Sequence, residues 1–161
     1  MKKYKWIVIL INLILLLILF NNSIFEKEKV LTNGKLVLLK LAPVDPRSLM
    51  QGDYMRLNYE ITWNIPTDSI PKRGYCVVKL DNNEIAEKVR FQQNNKPLNS
   101  GEYLIKYFAG EWNINIGAES YFFEEGQAEK YAVAKYGAVK IDKDGNSILI
   151  GLYNENIAKI E

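Results

Sequence analysis

"GYCVVKLDNNEIAEKVRF", residues 74–91, decides the fold class. Two apolar, β-branched runs flank Asp81-Asn82-Asn83, a composition that turns a chain back on itself. The second arm alternates, sending Ile85, Val89 and Phe91 to one face and Lys88 and Arg90 to the other, so this is a β-hairpin with one buried face. Downstream, "GEYLIKYFAGEWNINI", residues 101–116, repeats the pattern with a turn at Ala109, Gly110 and Glu111, after which Trp112, Ile114 and Ile116 alternate with Asn113 and Asn115. "AVKIDKDGNSILIGLY", residues 138–153, closes the chain with a third hairpin on Asp144-Gly145. Within it "DKDGN" is not a calcium loop, because glycine stands fourth rather than sixth and Ile-Leu-Ile follows. Upstream, "KLVLLKLA", residues 35–42, is a nearly unbroken apolar run suited to a strand covered on both faces, and "DYMRLNYEI", residues 53–61, alternates again.

One stretch departs from period two. In "EEGQAEKYAVAKYG", residues 124–137, Ala128, Tyr131, Ala132 and Lys135 follow helical spacing and Gly137 stands where a C-terminal cap belongs, predicting a helix of about three turns. Just before it, the adjacent aromatics Tyr121, Phe122 and Phe123 would point to opposite faces of a strand, with at least one in the core. Cys76 lies among Tyr75, Val77 and Val78 and reads as a packed, inert thiol.

The N-terminus is of another kind. "WIVILINLILLLILF", Trp6 to Phe20, is interrupted only by Asn12 and follows Lys2, Lys3 and Lys5. That run covers roughly 22 Å as a helix and reaches the roughly 30 Å of a hydrocarbon core if the helix continues to Phe25. "FNNSIFEKEK" carries no small-residue cleavage site, which favours a retained signal anchor over a cleaved signal peptide or a buried core helix. The leading lysines place the N-terminus in the cytoplasm and the rest of the chain outside. The expected architecture is therefore mainly β: a transmembrane anchor at 1–25, a charged connector at 26–34, and one small β-barrel or β-sandwich domain at 35–161 with a single short packed helix.

Composition narrows the function. The chain carries 21 basic residues and 19 acidic ones; the three lysines before Trp6 account for three of the former, so the remainder is 18 against 19, near neutrality. No basic stripe for nucleic acid is present. With one cysteine no intrachain disulfide forms, and with no histidine the Ser-His-Asp and Cys-His catalytic sets and the usual zinc sites are missing. No metal or cofactor is expected.

"APVDPRSLMQGDYMRLNY", residues 42–59, is where a site would lie. Pro43 and Pro46 hold Ala42 and Asp45 in extended backbone, Asp45 or Ser48 can brace the turn amides, and Gly52 permits a positive φ before the next strand. This makes a rigid corner with fixed polar groups. The candidate binding residues are Asp45, Arg47, Ser48, Gln51 and Asp53 from this corner with Glu119 and Glu125 from the second polar stretch; Arg47 would clamp an anion or carboxylate. The alternative is a structural ion-pair network. Ser48 ahead of Gly52-Asp53 is also similar to the serine loop of signal peptidases and related Ser/Lys proteases, where a lysine serves as base; Lys79, Lys88 and Lys106 are the candidates for that role.

Three segments carry a wider resemblance: "LVLLKLAPVDPRSLMQGDYMRLNY" (36–59), "IGAESYFFEEGQAEKYAVAKYG" (116–137) and "ILIGLY" (148–153). The chain resembles the bacterial membrane-anchored proteins of the GDYXLXXXXA family, a group without assigned activity. It departs from that pattern at Arg56 and Ile61, with Leu57 one place late, and resembles the "GDYM-x-L-x-Y" branch instead. The resemblance implies an anchor, an exported β-rich domain and association with multi-pass membrane proteins in the bacterial plasma membrane; it implies no catalytic residues. Together these readings favour a membrane-anchored extracytoplasmic binding or accessory module, with a Ser48 hydrolase as the alternative.

Overall fold

The structure, a computed structural model, describes residues 2–42 and 54–161. It contains a long helix, α1 (Lys2–Asn33), a short one, α2 (Ala128–Tyr131), and nine strands. The strands are β1 (Lys35–Lys40), β2 (Tyr54–Arg56), β3 (Arg73–Leu80), β4 (Ala86–Gln92), β5 (Glu102–Ala109), β6 (Ile114–Asn115), β7 (Ser120–Phe122), β8 (Tyr136–Ile141) and β9 (Ser147–Tyr153).

α1 has no glycine or proline to interrupt it, and its 30 residues from Tyr4 to Asn33 include an apolar window of mean hydropathy 2.5 with no part of it buried. At about 1.5 Å per residue this is long and apolar enough to cross a membrane. The connector at 26–34 is helical: "EKEK" lies inside α1, which runs to Asn33 and stops at Gly34. There the Gly34 amide bonds back to the Val30 carbonyl at 2.8 Å. A Cβ at Gly34 would collide with that same carbonyl and stand 3.1 Å from the Ile141 carbonyl, so glycine is what lets the helix run straight into the sheet. Val30, 4% exposed, is the helix residue that seats against the domain, where α1 packs on β8 and β9.

The strands form antiparallel sheets in the orders β1-β8-β9, β2-β7 and β4-β3-β5-β6, and among the described residues they do not close into a barrel. One core joins them: Val37, Leu39, Val139, Ile141 and Leu152 meet Cys76, Val78, Ile105 and Tyr107, with Met55, Leu57 and Tyr59 between. β1 is covered on both faces as its composition predicts, with Val37, Leu38 and Leu39 all buried. Its second edge is closed too, the Leu38 amide donating to the Glu84 carbonyl at 2.9 Å.

The hairpin at 74–91 forms as β3 and β4, but its face assignment changes midway. Val77 pairs with Arg90 and Val78 with Lys88, so Val89 is the extra residue of a β-bulge. The bulge reverses the alternation: Ala86 and Phe91 turn to the core, and Val89 is 42% exposed. The second hairpin turns at Gly110–Asn113, closed by Gly110 N–H to the Asn113 carbonyl at 2.8 Å; Trp112 therefore lies in the turn rather than on the face of Ile114. In the third hairpin Asp142 accepts the amides of Asp144 and Asn146, and Gly145 sits at φ +82°.

The predicted three-turn helix shrinks to the single turn of α2. From Tyr136 the chain pairs with β1 and β9 instead, burying Ala138 and Val139 completely, and this pairing outweighs the helical spacing. Gly137 is accordingly a strand residue and not a cap.

Candidate functional site

The described residues that flank the first polar stretch meet the second at a corner built from the end of β1, the strand β2 with its extension to Tyr59, and the turn before β7. The Ala42 amide donates to the Asn58 carbonyl at 2.8 Å and Leu41 bridges to Tyr59; at the other end Tyr54 pairs with Phe122. Leu57 is fully buried and its amide donates to the Glu119 carbonyl at 2.8 Å. Tyr59 is 1% exposed, and its hydroxyl donates to the Ala118 carbonyl. Its ring crosses Gly137 so closely that a Cβ there would lie 2.9 Å from Tyr59 Cε1 and 3.0 Å from the hydroxyl. Burial, and after it the Glu119 carboxylate, push the Tyr59 phenol far above its ordinary value and keep it a neutral donor.

Asp45, Arg47, Ser48, Gln51 and Asp53 lie outside the described residues. Glu119 and Glu125 stand at opposite ends of β7. The Glu119 carboxylate accepts the amides of Ile116 and, at 3.1 Å, Gly117, whose φ of +82° makes the turn; it is a brace for that turn. Glu125 is exposed in the turn leading to α2. Among the lysines weighed as a base, Lys106 donates to Asn146 Oδ1 at 2.7 Å, Lys88 lies 5.6 Å from the Phe91 ring centre, and Lys79 is exposed opposite Glu87 and Glu102.

Two features were not read from sequence. The first is a half-buried clamp on the buried Glu102. Arg90 meets Glu102 through two hydrogen bonds of 2.8 Å, and the Asn99 amide adds a third at 2.9 Å. The Arg90 guanidinium, then the Asn99 amide, hold the Glu102 carboxyl at about 2, well below its usual range. Arg90 also donates to the Pro97 carbonyl at 3.0 Å, so the clamp closes the loop between β4 and β5. The second is a surface groove of about 390 Å³ whose walls include Asn58, Thr62, Trp63, Asn64, Trp112 and Asn113. Its lining is uncharged, and Trp112 is 92% exposed. Amides beside flat indoles present both hydrogen-bonding and stacking surface to a neutral polar ligand. The signal in the sequence was Trp112 in a turn otherwise made of Gly, Glu and Asn. Cys76 is buried and burial raises its thiol to about 12, so it is packing rather than chemistry. Among the described residues no group of three or more acids, cysteines or histidines is placed to hold a metal.

The profile of the GDYXXLXY proteins matches residues 16–152. The chain belongs to the GDYXXLXY family. No curated protein and no solved structure matches it. In this GDYXXLXY protein the pattern in the family's name falls on Gly52, Asp53, Tyr54, Leu57 and Tyr59, in place of the GDYXLXXXXA spacing from which the chain departs. The described end of the pattern is structural: Leu57 fills the core and Tyr59 ties the corner across β8 to the turn before β7.

Proposed function

We propose that this GDYXXLXY protein is a membrane-anchored, extracytoplasmic binding or accessory module that works with an integral membrane partner in a bacterial plasma membrane. The observation that carries the reading is α1, whose Leu, Ile, Val and Phe side chains from Ile7 to Phe20 are 48% to 64% exposed on every side. Each such side chain gains about 1.5–3 kcal/mol on leaving water, so a bilayer is the environment that this surface suits. Lys2, Lys3 and Lys5 precede the span, and positive flanks stay cytoplasmic, which sends the β-rich domain across. Because α1 continues unbroken to Asn33 and seats Val30 in the domain, the module is held against the membrane surface.

The test is protease added to intact spheroplasts, with alkaline carbonate extraction of the membranes in parallel. The domain is expected to be degraded and the chain to resist extraction. A mature N-terminus near Asn22, or full protection of the domain, would refute the reading.

A further inference from the structure

The apolar span contains one polar side chain at its middle. Asn12 is exposed and, among the described residues, its carboxamide has no hydrogen-bond partner. Asn21, the next asparagine, is different: its amide donates to the Leu17 carbonyl at 2.8 Å within its own helix. A carboxamide left bare in hydrocarbon is costly, and polar groups at this depth face other protein.

Its direction is set by helix geometry. At 3.6 residues per turn Asn12 and Val30 are about five whole turns apart and so share one face of α1. Val30 is the residue that the domain covers. The domain does not stand on the end of the helix. It lies beside its last turns, down to where Ser23, Glu26 and Lys27 line a groove of about 480 Å³ with Lys106, Ile116 and Ser147. Val8, Leu15, Leu16 and Leu19 flank Asn12 on that face, each more than half exposed (56% to 64%). The Asn12 face of the span therefore looks into the strip of membrane that the domain overhangs.

We infer that this strip is occupied by a transmembrane helix of a different integral membrane protein, one that hydrogen-bonds Asn12 and ends at the bilayer surface beneath the domain. The shape of the chain selects that occupant. A parallel second copy placed against Asn12 would carry its own α1 on to Asn33, roughly 20 Å past Phe20, into the overhanging sheet. An antiparallel copy would need the opposite insertion. A helix that turns back through a short loop fits, with the groove above Ser23, which mixes Glu26, Lys27 and Asn146 with Val30 and Ile148, open to that loop.

This inference rests on α1 spanning the membrane as proposed above. It is tested in native membranes with the full chain, substituting a diazirine amino acid at Leu16 or Leu19 on the Asn12 face and at Leu10 or Leu17 on the opposite face. Irradiation is expected to give one adduct of defined mass at Leu16 and Leu19 and none at Leu10 and Leu17, with the crosslinked peptide lying in a membrane span of another protein next to a short loop. Asn12→Leu is expected to lower the adduct yield about three- to twenty-fold, the range that measured interhelical hydrogen bonds correspond to, and Asn12→Gln to restore most of it. An adduct of twice the chain mass, equal yields on both faces, or indifference to Asn12→Leu would overturn the inference while the spanning reading stands. Release of the chain by alkaline carbonate would instead remove the spanning reading, and this inference with it.

Discussion

Tyr59→Phe removes a single oxygen from the corner and isolates what the hydroxyl does. The ring stays, so the core keeps its volume beneath Gly137; what is lost is the hydrogen bond to the Ala118 carbonyl. A neutral hydrogen bond is worth about 0.5–1.5 kcal/mol net, and a buried acceptor left unpaired costs about 1–3 kcal/mol. With Tyr59 only 1% exposed, water does not reach its side of the pair, and the expected loss is about 1–3 kcal/mol. For a domain of this size that lowers Tm by roughly 3–12 °C. The assay is thermal unfolding of the full chain in detergent, followed by the fluorescence change of Trp63 and Trp112 in the domain over the signal of Trp6 in α1. The phenol also carries a pH signature. Its folded pKa is raised above the ordinary value of 10.0, so the stability tied to the protonated phenol is intact below that pH and lost as pH rises beyond it; Tyr59→Phe should flatten the alkaline limb. A Tm within 1 °C of the parent, with an unchanged alkaline limb, would show that the hydroxyl does not lock the corner.

Glu102→Gln should flatten the acid limb: the Glu102 carboxyl is held at about 2 against an ordinary 4.5, so its contribution is present above the ordinary value and lost as pH falls toward 2. Urea midpoints at pH 6 and pH 3 check this, and an acid loss as large in the variant as in the parent refutes it. Gly34→Ala drives a Cβ into the Val30 carbonyl and should loosen the joint between α1 and β1, read as new proteolytic cleavage between Leu31 and Leu36; an unchanged digest refutes it. Ser48→Ala should leave stability within about 1.5 kcal/mol and partner binding intact, and a fluorophosphonate should not label the wild type. Labelling that Ser48→Ala abolishes would establish the hydrolase alternative.

Where residues alternate and a turn residue follows, the strands were legible, because half-burial imposes period two on the side chains directly. Asp142-Lys143-Asp144-Gly145 turns as its composition requires, and Leu38 is buried from both sides. Local periodicity carries no information about partner strands, and that is where the reading failed. Ala128 to Lys135 has helical spacing, yet the hydrogen bonds offered by β1 and β9 take the chain away from helix at Tyr136. Val89 belongs to an alternating run, but β3 leaves it no partner. Of the candidate site, Glu119 stands out in the sequence by its charge, yet its carboxylate is taken up by two backbone amides of its own turn. Such a use depends on Gly117 at positive φ and is invisible in a list of acids. The Trp63 and Trp112 groove was missed for the opposite reason: its walls come from turns about fifty residues apart that only the fold brings together.

The joint between helix and sheet constrains function more than the family pattern does. Leu57 and Tyr59 are consumed by the core, so the described half of the pattern reports how the corner folds rather than what the protein binds. α1, by contrast, reaches β1 with Gly34 as the only residue between them, and Gly34 is itself tied to Val30. A flexible linker would let a tethered domain search a volume that grows with linker length. A helix that becomes a strand within one residue grants no such search. Under the proposed function, the partner must meet the domain at the membrane surface or within the bilayer, at the fixed height and bearing that Val30 sets; lengthening the joint by a few glycines after Gly34 should therefore weaken partner binding without unfolding either part.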